Sequence, residues 1–60
     1  MTLDEVDANI ARLQRIIVAT KNALANARGI EAYHELENLR VYEQSLSLLQ
    51  QHRAYLISKK

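Results

Sequence analysis

Apolar residues recur along the first half of the chain at alternating intervals of three and four, through Leu3, Val6, Ile10, Leu13, Ile17, Thr20, Leu24 and Ala27. This is the a/d spacing of a coiled-coil seam, a single stripe down one side of an α-helix. A second seam of the same spacing runs through Ala32, Glu35, Leu39, Tyr42, Leu46, Leu49, Arg53 and Leu56. The two are out of phase. Continued in step beyond Ala27, the first seam lands on Glu31, His34, Asn38, Val41, Ser45, Leu48, His52 and Tyr55, a largely polar set that makes a poor core. A single continuous helix would tolerate the chain's only glycine, Gly29, at about 1 kcal/mol relative to alanine, but it cannot repair that phase slip. Folding back at Gly29 does. The pattern predicts an all-α fold: a two-helix antiparallel hairpin with helix 1 at about 3–28, a turn at 29–30 and helix 2 at about 31–57. Its register sets Leu3 against Leu56, Val6 against Arg53, Ile10 against Leu49, Leu13 against Leu46, Ile17 against Tyr42 and Thr20 against Leu39.

The ends of both helices are marked. Thr2-Leu3-Asp4-Glu5 fits a capping box, in which the Thr2 hydroxyl accepts from the Glu5 N–H while the Glu5 carboxylate accepts from the Thr2 N–H. Asp4, Glu5 and Asp7 favour the positive end of the helix 1 dipole, and Lys21 and Arg28 its negative end. Glu31, Glu35 and Glu37, then Arg53, Lys59 and Lys60, repeat that order in helix 2. Gly29 suits the left-handed C′ position of a Schellman termination, which would fold Ile30 back onto Leu24 or Ala25. Two seam positions are charged. The hairpin register offers Arg53 the carboxylates of Asp4 and Asp7, and offers Glu35 the cations of Lys21 and Arg28, as pairs that fix register and direction.

Helix 2 carries a further apolar line on another face: Ile30, Tyr33, Val41, Leu48 and Tyr55, with Glu37, Gln44 and Gln51 interspersed. Helix 1 adds Ile16, with Ala8, Ala19 and Ala23 beside it. A helix apolar on two faces packs against two neighbours. A chain of 60 residues without cysteine has a small core and no disulfide or thiolate metal site to reinforce it, so self-association is the expected reinforcement. We therefore expect a homodimer of hairpins forming a four-helix bundle, with Ile30, Tyr33, Val41, Leu48, Tyr55 and Ile16 as its candidate dimer or partner interface.

Composition narrows the chemistry. Eight Lys and Arg against seven Asp and Glu leave a net charge of +1, which gives no strong pull toward polyanions. The longest aliphatic run, Ile16 to Ala19, falls far short of a membrane span or a signal-peptide core, so a soluble, cytoplasmic protein is expected. His34 and His52 are about 27 Å apart at roughly 1.5 Å per residue along one helix, and Asn38 breaks the HExxH pattern that His34 and Glu35 begin. Ser45, Ser47 and Ser58 lack a base and an orienting acid. One glycine cannot build a phosphate-cradling loop. These readings point away from an enzyme and from any cofactor or metal.

What remains is binding. On helix 1, away from the seam, Arg12, Arg15, Asn22 and Asn26 form a polar stripe suited to phosphates and base edges, the candidate polyanion-binding surface. The capped hairpin and its expected dimer resemble, in architecture, the small Rop-like plasmid regulators, which are antiparallel four-helix bundles that bind paired RNA loops. The opening Met-Thr-Leu-Asp-Glu-Val-Asp and the compact helical layout resemble the short accessory proteins of lambdoid bacteriophage early regions. That second resemblance implies a small regulator, made early in infection in the host cytoplasm, that alters host physiology or developmental choice by protein contact. A regulatory adaptor acting on a protein partner is the leading expectation, and an RNA-binding bundle using Arg12 and Arg15 is the alternative.

Overall fold

The computed structural model describes residues 1–59, and Lys60, expected to help balance the helix 2 dipole, lies outside them. Helix α1 spans Leu3–Asn26 and helix α2 spans Ile30–Ser58. They pack along each other as an antiparallel hairpin, a rod of 48 × 14 × 13 Å. No strand occurs among the described residues. The fold is all-α, as the two seams require.

Burial follows those seams. Every α1 seam position from Leu3 to Ala27 is buried or half-buried, and so is every α2 seam position except Arg53. Val6 is completely covered, and Ile17, Thr20 and Leu39 are buried near the middle of the rod. Thr20 is tolerated there because its hydroxyl donates to the Ile16 carbonyl at 2.8 Å, so burial strands no polar group. The register is visible in one cross-helix ion pair, with Arg53 Nε 2.6 Å from Asp7 Oδ1.

At the start of α1 the capping box is complete. The Glu5 N–H donates to Thr2 Oγ1 and the Thr2 N–H to Glu5 Oε1, both at 3.2 Å, while the Thr2 hydroxyl donates to the same carboxylate oxygen at 3.0 Å. These bonds, first that from the Thr2 backbone and then that from its hydroxyl, hold the Glu5 carboxyl below its ordinary pKa.

The connection differs from the Schellman expectation. Ala27 is extended (φ −86°, ψ 155°) and stops α1 two residues early. Gly29 has φ 63° and ψ −131°, a positive φ but not the left-handed helical conformation, and it serves as the N-cap of α2. Ile30 therefore opens the second helix and is 75% exposed instead of folding back on Leu24. The expected pairing of Glu35 with Lys21 or Arg28 is also not formed, Arg53–Asp7 being the ion pair among the described residues. Arg28 lies in the connection after the extended Ala27, so it no longer continues the α1 face that Glu35 meets.

Candidate functional site: the outer face of α2

The seam residues of α2 fix which side of that helix faces α1. Val41 and Leu48 each lie two positions beyond a seam residue, and with 100° per residue the line through Ile30, Val41, Leu48 and Tyr55 lies roughly 150° around the helix from the seam. It points away from α1. The burial pattern agrees, since Ile30, Tyr33, Val41, Leu48 and Tyr55 are 54 to 75% exposed. Five large apolar side chains thus lie along the outside of one helix. Val41, Leu48 and Tyr55 recur by sevens after His34, the companion position holds Ile30, Glu37, Gln44 and Gln51, and Tyr33 lies beside the line. This half-apolar heptad line has no partner in the hairpin.

Its aromatic ends are held by neighbours on the same helix. The Tyr55 ring stacks on His52 with centroids 6.4 Å apart, and the Lys59 ammonium lies 5.3 Å from the Tyr55 centroid. At the other end Tyr33 and His34 meet edge to face at 6.2 Å. Such contacts limit the rotamers of Tyr33 and Tyr55 before anything docks on them, which lowers the entropy lost in binding.

Ile16 does not join this face. It is half-buried on α1, on the same flank of the helix as half-buried Asn9, and there it widens the hairpin's own seam. Arg12, Arg15, Asn22 and Asn26 are exposed on α1, on the opposite broad side of the rod from the α2 line. Two of them are engaged locally: Arg12 Nη2 donates to Asn9 Oδ1 at 2.6 Å, and the Asn26 amide donates to the Asn22 carbonyl at 3.0 Å. Sequence reasoning passed over Val18, 59% exposed above a shallow hollow lined by Ala11, Gln14 and Arg15, and also Leu36 and Ile57 on a flank of α2. The spacing of Leu36, Glu43, Gln50 and Ile57 by sevens was the available signal.

Among the described residues no cluster of three or more His, Asp or Glu side chains could hold a metal, and no helix is long and apolar enough to cross a membrane. A hollow lined by residues that include Asp7, Ile10, Gln50, Arg53 and Ile57 is open at the free end of the hairpin beside the Arg53–Asp7 pair. It offers no water-excluding site. No protein-family model, curated protein or solved structure matches the chain.

Proposed function

We propose that the protein is a small non-enzymatic regulator that acts through protein–protein contacts, self-association among them, made by the outer face of α2. The observation that carries this reading is the unpartnered heptad line of α2, whose large apolar residues are more than half exposed on one helix. Scattered exposed apolar residues are ordinary on any protein, whereas a line of them at coiled-coil spacing is what a helix-in-groove or helix–helix contact uses. The bacteriophage early-regulator setting belongs to the same proposal, and what supports it is the resemblance of the opening Met-Thr-Leu-Asp-Glu-Val-Asp and the helical layout to such proteins. The RNA-binding reading has less support: the net charge is +1, and Arg12 and Asn26 are already bonded within α1.

The test is photocrosslinking in cells that make the chain. A benzoylphenylalanine in place of Tyr33 is expected to form a covalent adduct with a protein, and the same group in place of Arg15 to form none. RNA adducts at position 15 without protein adducts at position 33 would reverse the two readings.

A further inference from the structure

We draw no further inference here: the strongest candidate, the line of exposed apolar side chains Ile30, Tyr33, Val41, Leu48 and Tyr55 along the outer face of α2, belongs to the contact surface already proposed, and nothing in the structure shows what covers it.

Discussion

Val6 and Thr20 are both buried in the seam, yet they stand in opposite relation to stability. Val6 is wholly covered, and Val6→Ala removes two buried carbon groups, so a loss of about 2 kcal/mol is expected from transfer plus the residual cavity. That is a large part of the stability available to so short a chain. The Thr20 hydroxyl bonds only to the Ile16 carbonyl of its own helix, so it contributes no attraction between α1 and α2. Thr20→Val keeps the shape and removes a buried polar group, and the free energy of unfolding from chemical denaturation is expected to stay level or rise by up to about 1 kcal/mol. Arg53 and Asp7 are each close to half exposed, and an exposed pair of this kind contributes about 0 to 1 kcal/mol. Its role is to hold register at the open end.

At the level of the element, the two ends of α1 differ in how the chain specifies them. The capping box makes a prediction with a definite sign. Because the folded-state pKa of Glu5 is lowered from 4.5, its ionised form stabilises α1 above that value, and the stabilisation is lost as pH falls through the lower folded pKa. Glu5→Gln retains the acceptor but not the titration, so its melting temperature should fall less than that of the parent between pH 6 and pH 3. At the other end, a Cβ on Gly29 would meet nothing within 4 Å, but φ of 63° is strained for an L-residue. Gly29→Ala should therefore cost about 1 to 3 kcal/mol in thermal melts, whereas D-alanine, whose preferred region is the mirror image, should be tolerated or stabilising. The seams and the capping box were legible because each depends on residues a turn or two apart. The connection was not: a glycine between two helices signals a positive φ, but the left-handed C′ and the observed N-cap share that sign and differ in ψ. That choice turns on Ala27, an alanine with no local preference for the extended form, and it carried Arg28 away from Glu35.

At the scale of the whole molecule, the α2 line was legible as a heptad pattern, while the half-buried state of Ile16, which was expected to add to the interface from α1, was not, because the flanks of the shared seam are invisible until the helices are packed. The face predicts coupled folding and assembly: the melting temperature should rise with chain concentration for the parent and stay constant for Val41→Asp with Leu48→Asp, as circular dichroism can record. One further consequence follows from the short connection. With only Ala27, Arg28 and Gly29 between the helices, Ala27 and Ala32 and then Leu24 and Glu35 come opposite each other as soon as the bend forms, and each later pair brings together residues only one turn farther from it. The search for the native state thus becomes a zipper running in one dimension from the bend, with little loop entropy lost at any single step. Asp7 and Arg53 lie far along that track, so their clasp closes late and is among the first to open.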